Sequence, residues 1–322
     1  MKNRSHYIVV AFVLIIVLLA IGPRVNLQYT LKPVEIPLQI DQHLSISEKI
    51  FSDIRAGTEK EIIWADSSSP ATTPYSIVYL HGFSASRQEI APLSDMLAEQ
   101  LSANLYYTRL TGHGRSSDAM QEVTVDTLLN DANEALEIGK RIGDKVILIG
   151  SSTGGTLATW LSTRESSDAI AAIILLSPNF GLKRKESELL LYPWGETILN
   201  LLEGEYYSFT PTNELQEKYW TTRYPTKALL SMMGLVELVR KNASSKVIVP
   251  TLVLYSEQDK IVDIERIKSQ FQQFASPVKK LVTVSTSTDP QQHILAGYVL
   301  SPTSTDEVLN TTIEFLMPVV KP

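Results

Sequence analysis

From Glu61 onward two hydrophobic patterns alternate along the chain. Short apolar runs rich in β-branched and aromatic residues, at 61–65, 76–80, 105–109, 146–149, 170–176, 247–255 and 280–284, read as strands. Between them, 88–101, 125–142, 156–164, 264–274 and 305–317 place apolar residues three and four apart, the spacing of one helix face. Strand and helix in alternation predict an α/β domain, with a mostly parallel central sheet and helices on both faces. In such sheets ligands bind outside the carboxyl ends of the strands.

The rhythm breaks twice. Between Ser177 and Val247 the chain makes a long excursion instead of one crossover helix, and it carries Trp194, Tyr206, Tyr207, Phe209, Trp220 and Tyr224. That apolar density predicts a helical cap, at about 178–246, packed on the sheet domain and able to wall an apolar pocket. The other break is at the N-terminus, where Lys2 and Arg4 precede an unbroken apolar run from Tyr7 to Gly22. A spanning helix needs about 17–25 residues, so residues 1–24 are expected to be a membrane anchor or, if cleaved, a signal peptide. Pro23 disfavours cleavage, and the leading positive charges place the rest of the chain outside the cytoplasm. Residues 25–60, with Pro33 and Pro37, read as a linker and a short helix of no assigned role, leaving 61–322 as the main domain.

Composition removes several classes of function. The net charge of −6 over 322 residues gives no basic footprint for nucleic acid. The absence of cysteine excludes disulfides, thiolate zinc sites and a cysteine nucleophile. No metal or cofactor is called for by any motif.

The candidate chemistry centres on Gly150-Ser151-Ser152-Thr153-Gly154, between the apolar run 146–149 and the helical pattern that follows. A serine on so sharp a strand-to-helix turn needs nearly side-chain-free neighbours, and its strained backbone lifts the hydroxyl clear of the sheet. The amide of Thr153 then faces the position where a developing oxyanion would sit. A serine hydroxyl is a weak nucleophile until a base takes its proton, so Ser152 needs a histidine and the histidine an orienting carboxylate. Of five histidines, His6 lies beside the apolar run and His43 in the linker. His81 and His113 sit in glycine-flanked loops and read as turn-shaping residues. His293, in a polar loop after the last strand, is the candidate base. Asp259 is the candidate acid, just beyond Val253-Leu254-Tyr255. Asp263 reads better as the N-cap of the next helix, Glu257 is less well placed, and Asp289 is too close in sequence to face the His293 ring. The His81-Gly82-Phe83-Ser84 turn supplies a second oxyanion amide, that of Phe83.

Taken together, HGFS, RLTGHGRS, GSSTGG, SEQDKIVD and the His293 loop resemble an α/β-hydrolase of the carboxylesterase and monoacylglycerol lipase branch, the serine aminopeptidase-like enzymes with a helical cap. The resemblance covers about Tyr75 to the C-terminus, and the order Ser, Asp, His is that of this fold. It implies Ser152 as nucleophile, Asp259 as acid, His293 as base, and Phe83 and Thr153 as oxyanion donors. The expected function is hydrolysis of carboxylic esters through an acyl-enzyme, without cofactor, on small-molecule or lipid esters. A peptidase, a thioesterase or an acyltransferase on the same triad remains open, as does a non-catalytic binding protein of this fold. HGFS in place of an HGGG-type loop argues against esterases of bulky tertiary alcohols. Serine at the nucleophile position argues against dehalogenases.

Overall fold

The computed structural model describes residues 2–320. Helix α1 (Lys2–Ala20) and an extended strap lead into α2 (Ile40–Lys49). The body follows as β1 (Glu61–Ile63), β2 (Thr73–Leu80), α3 (Leu93–Leu101), β3 (Asn104–Tyr107), α4 (Val125–Ile142), β4 (Gly143–Ser151), α5 (Thr153–Leu161) and β5 (Ile170–Leu176). The excursion contributes α6 (Gly195–Glu203), β6 (Tyr206–Ser208), α7 (Glu214–Tyr219), β7 (Arg223–Pro225) and α8 (Lys227–Asn242). The chain closes with β8 (Thr251–Tyr255), α9 (Ile264–Gln273), β9 (Lys279–Thr283) and α10 (Thr305–Leu316).

Seven strands form one sheet in the order β1-β3-β2-β4-β5-β8-β9, parallel throughout except for β1 at the edge. Alternation along each strand divides the core into two layers. Val78, Leu80, Val146, Leu148, Ile173 and Val253 face α4, α5, α8 and α9, whereas Ile77, Tyr79, Ile147, Ile149, Ile174 and Leu254 face α3 and α10. Full burial of each such side chain is worth about 1.5–3 kcal/mol, which makes the sheet a rigid platform for its loops. From β2 the chain winds outward to β3, then crosses back to β4 on the other side of β2. The switch point therefore falls between β2 and β4, with Leu80 paired to Gly150, so the turns leaving these two strands are neighbours.

Element boundaries move where proline intervenes. The expected strand 247–255 begins at Thr251 because Pro250 has no N–H for the ladder. Helix α3 likewise starts after Pro92 rather than at Gln88. The excursion is not wholly helical, since β6 and β7 form a two-stranded antiparallel sheet. Its last helix, α8, buries Leu235, Leu238 and Val239 in the main core and so acts as the crossover helix expected of the alternation.

The predicted transmembrane helix is not borne out. Among the described residues no helix is long and apolar enough to cross a membrane. Within α1 the apolar stretch Tyr7–Ala20 rises about 21 Å at 1.5 Å per residue, against about 30 Å of hydrocarbon. Beyond Ala20 the chain leaves the helix and docks on the cap, where Trp194 donates its backbone N–H to Pro23 O (2.8 Å) and its indole N–H to Leu18 O (3.0 Å).

Residues 25–60, expected as a linker and a short helix, contain α2 and dock on the body. The amides of Thr30 and Lys32 donate to Asp126 (2.7 Å) and Asn130 (2.8 Å) on α4, and Tyr29 meets Trp160 edge-on. Glu48 of α2 pairs with the buried Arg109 at 2.8 Å, and Phe51 lies beneath Arg109 and Arg115. The RLTGHGRS segment thus supplies the two arginines that brace the N-terminal segment against the body.

Candidate active site

Four turns converge at the carboxyl end of the sheet. The turn after β4 holds Ser152 at φ 50°, ψ −113°, a conformation that non-glycine residues rarely adopt. Glycine on both sides is a steric requirement. A Cβ at Gly150 would lie 2.4 Å from Gly154 O, and one at Gly154 would lie 1.9 Å from Leu80 O. Gly154 therefore lets the serine turn close directly onto the turn that leaves β2. Ser152 is 8 % exposed and anchored by its own N–H to Leu176 O (2.9 Å), with its hydroxyl at the start of α5.

The turn after β2 presents the amide of Phe83. Buried beside His113, His81 has its pKa held well below the ordinary 6.5, so the ring is neutral. His81 Nε2 accepts from Leu110 N–H (3.1 Å), which leaves the proton on Nδ1 to donate to Gly82 O (2.8 Å). Because the Gly82–Phe83 peptide is planar and trans, fixing that oxygen on one side turns the Phe83 N–H to the other. Neither the Phe83 nor the Thr153 amide has an acceptor among the described residues. Both residues line the cavity that Ser152 faces.

Asp259 and His293 come together from the turns after β8 and β9. Asp259 is fully buried, its Oδ1 accepting from the amides of Ile261 (2.8 Å) and Val262 (2.9 Å) and its Oδ2 lying 2.8 Å from His293 Nδ1. Lys260 ties the two loops together, its amide donating to Gln291 O (2.9 Å) and its ammonium to Pro290 O (2.8 Å). Burial alone would lower the His293 pKa, but the charge and hydrogen bond of Asp259, with the charges of Asp289 and Glu89, carry it above the ordinary value. Ser152 and His293 line the same cavity, and among the described residues no direct hydrogen bond joins them. Asp263, the rival acid, caps α9 by accepting from Glu265 N–H (3.0 Å).

The cavity has a volume of about 490 Å³. Its floor carries Ser152, Thr153, Phe83 and His293, and its walls include Leu199, Tyr207, Phe209, Trp220, Tyr224 and Met232 from the excursion. Trp220 also packs on Ile294 and Leu300 of the histidine loop. Trp194 stands elsewhere, holding the N-terminal strap. The arrangement can bind an apolar chain with a polar carbonyl at its root, where a hydroxyl, an imidazole and two unclaimed amides meet.

Sheet order, serine turn and insertion after β5 define an α/β-hydrolase with a cap. The model of the family described as serine aminopeptidase, S33 (Hydrolase_4) matches residues 73–287, and the chain belongs to that family. No curated protein matches it by sequence. Solved structures share the fold at low identity. A metagenome-derived lipolytic enzyme of the LipS and LipT pair superposes with a TM-score of 0.68 at 17 % identity, over 82 % of this chain and 99 % of that one. The monoacylglycerol lipase of Paleococcus ferrophilus gives 0.60 at 16 %, over 81 % and 98 %. The monoglyceride lipase of Saccharomyces cerevisiae, in complex with a substrate analog, gives 0.59 at 14 %, over 94 % and 98 %.

Two carboxylates at the site escape sequence reasoning. Asp289, set aside as an acid for its nearness to His293, uses that nearness differently. Its Oδ2 accepts the amides of His293 (3.0 Å) and Ile294 (2.8 Å) and so shapes the loop that carries His293. Glu89 is 2 % exposed and lines the cavity. The only sequence signal for it, Ser86-Arg87-Gln88-Glu89, is the pattern of a helix N-cap, which would have turned the side chain back on its own helix.

Proposed function

We propose that the protein is a serine esterase that cleaves carboxylic esters with an apolar acyl chain. The observation that carries the reading is the convergence on one apolar cavity of a strained serine, an aspartate-paired histidine and two unclaimed amides. Ser152 attacks the ester carbonyl while His293 Nε2 takes its proton, and Asp259 stabilises the imidazolium through Nδ1. The amides of Phe83 and Thr153 receive the oxyanion. His293 then returns the proton to the leaving alcohol, and water, activated by the same imidazole, releases the acid. The monoacylglycerol and lipolytic enzymes that share this fold support lipid-derived esters as substrates.

The test is labelling with a fluorophosphonate probe together with hydrolysis of p-nitrophenyl esters and of amino-acid p-nitroanilides. Labelling and ester hydrolysis are expected in the wild type and absent in Ser152→Ala. Labelling that survives the substitution removes Ser152 from the mechanism. Sustained cleavage of amino-acid p-nitroanilides bearing a free α-amine reassigns the enzyme as a peptidase, the reading the family description favours.

We also propose that the enzyme works beside a membrane, attached through α1. Tyr7, Ile8, Phe12 and Ile15 of that helix are each more than half exposed, an apolar surface that lipid would cover. Co-flotation of the full chain with phospholipid vesicles, lost on deletion of residues 1–22, is the expected result. A full chain that stays at the bottom of the gradient excludes the attachment.

A further inference from the structure

The HGFS turn depends on a side chain that the triad does not include. Glu89 follows the turn in a short 3-10 segment and reaches back beneath it. Its Oε2 accepts two hydrogen bonds, from Gly82 N–H at 2.7 Å and from Tyr79 OH at 2.6 Å. The approach is so close that a Cβ on Gly82 would lie 2.5 Å from Glu89 Oε1. The two peptides that form the turn are thus held independently. Glu89 fixes the N–H of the His81–Gly82 peptide, and His81 fixes the C=O of the Gly82–Phe83 peptide. On the other side, the backbone of Glu89 and Ile90 packs against Gly297, four residues beyond His293, where a Cβ would meet Glu89 O at 2.8 Å.

We propose that Glu89 is a positioning residue of the esterase, holding the Phe83 amide in register with Ser152 and adding negative charge beside His293. The inference rests on the esterase reading and extends it. The groups facing Glu89 are Tyr79, the Gly82 amide, Ser151 and His293, and those facing His293 are Asp259, Asp289 and Glu89. Burial raises the Glu89 pKa from its ordinary 4.5, while Tyr79 and the Gly82 amide favour the carboxylate. An ionised Glu89 raises the His293 pKa, so removing its charge lets His293 lose its proton at lower pH.

Two substitutions separate geometry from charge. Glu89→Ala removes the acceptor, frees the Gly82 amide and is expected to lower kcat by about 10- to 10³-fold with little change in KM, as for loss of an oxyanion donor. Glu89→Gln keeps an acceptor for Gly82 and removes the charge. It is expected to recover most of that kcat and to move the acid limb of kcat/KM to lower pH. Retention of kcat in Glu89→Ala, or a loss expressed in KM instead, overturns the positioning role. An unmoved acid limb in Glu89→Gln overturns the electrostatic role, and this variant, nearly isosteric, serves even if the alanine variant does not fold. Ser152→Ala run in parallel distinguishes the two readings. If it abolishes labelling while Glu89→Ala leaves kcat intact, only the Glu89 inference falls, and if it abolishes neither labelling nor hydrolysis, Ser152 leaves the mechanism and the reading on which the Glu89 inference rests falls first.

Discussion

Gly154→Ala tests how closely the serine turn and the turn after β2 must approach. The added methyl would sit 1.9 Å from Leu80 O, 2.5 Å from Leu80 C and 2.9 Å from His81 O. All three are backbone atoms at the end of a central strand, so no side chain can swing aside. Contacts of a real Cβ do not fall below 3.0 Å, and one turn must therefore retreat from the other by about 1 Å. A misplacement of about 1 Å at reacting groups costs on the order of 10²-fold in rate, or about 2.7 kcal/mol of barrier. Steady-state hydrolysis of p-nitrophenyl butyrate should show this loss in kcat, and slower labelling of Ser152 by a fluorophosphonate should accompany it. Gly204→Ala is the control. Gly204 has φ +80° and ψ −167°, a backbone region essentially reserved for glycine, with nothing within 4 Å of its added Cβ, so that variant meets backbone strain of about 1–3 kcal/mol without a clash at the site. Its melting temperature should fall while its kcat stays near that of the wild type. A Gly154→Ala enzyme with wild-type kcat, or with a loss no larger than that of Gly204→Ala, refutes the reasoning.

Asp259→Asn should lower kcat by about 10⁴-fold through the wrong imidazole tautomer, whereas Asp263→Ala should leave kcat alone and cost about 0.5–2 kcal/mol in urea unfolding for the lost cap. Trp220→Ala should change the relative rates on short and long acyl chains, since Trp220 walls the cavity, and Trp194→Ala should not; selectivity that follows Trp194 would contradict this wall. Asp131, half-buried beneath the Thr111 amide and hydroxyl, has its pKa raised from 3.8 to about 6 by desolvation. The folded state therefore holds this proton more tightly than the unfolded chain, so its contribution is most favourable below about pH 4, declines as pH rises to about 6 and is flat above, a change of about 3 kcal/mol. Asp131→Asn should consequently raise the denaturation midpoint at pH 8, with the gain vanishing near pH 4.

The sequence by itself determined the elements whose cause is local. Apolar periodicity marks the alternating strands and helices, and Pro92 and Pro250 trim them by removing a donor. The Gly-x-Ser-x-Gly spacing identifies Ser152 because the turn tolerates little else, and Asp263 is legible as a cap because its acceptor lies two residues away. The His293–Asp259 pairing was reachable because each residue lies just beyond a strand-like run, 247–255 and 280–284, and the rival carboxylates had other local roles. What only the tertiary structure decided is the direction of side chains whose local pattern permits several. Glu89 has the signature of a cap and instead reaches under the Gly82 amide. Asp289 is a poor partner for the neighbouring ring and a good one for the neighbouring amides. The N-terminal apolar run fixes a helix, but its end is set by docking against Trp194, a contact with a residue far along the chain. In each case the deciding partner is distant in sequence or belongs to the backbone, and neither leaves a pattern in the order of residues.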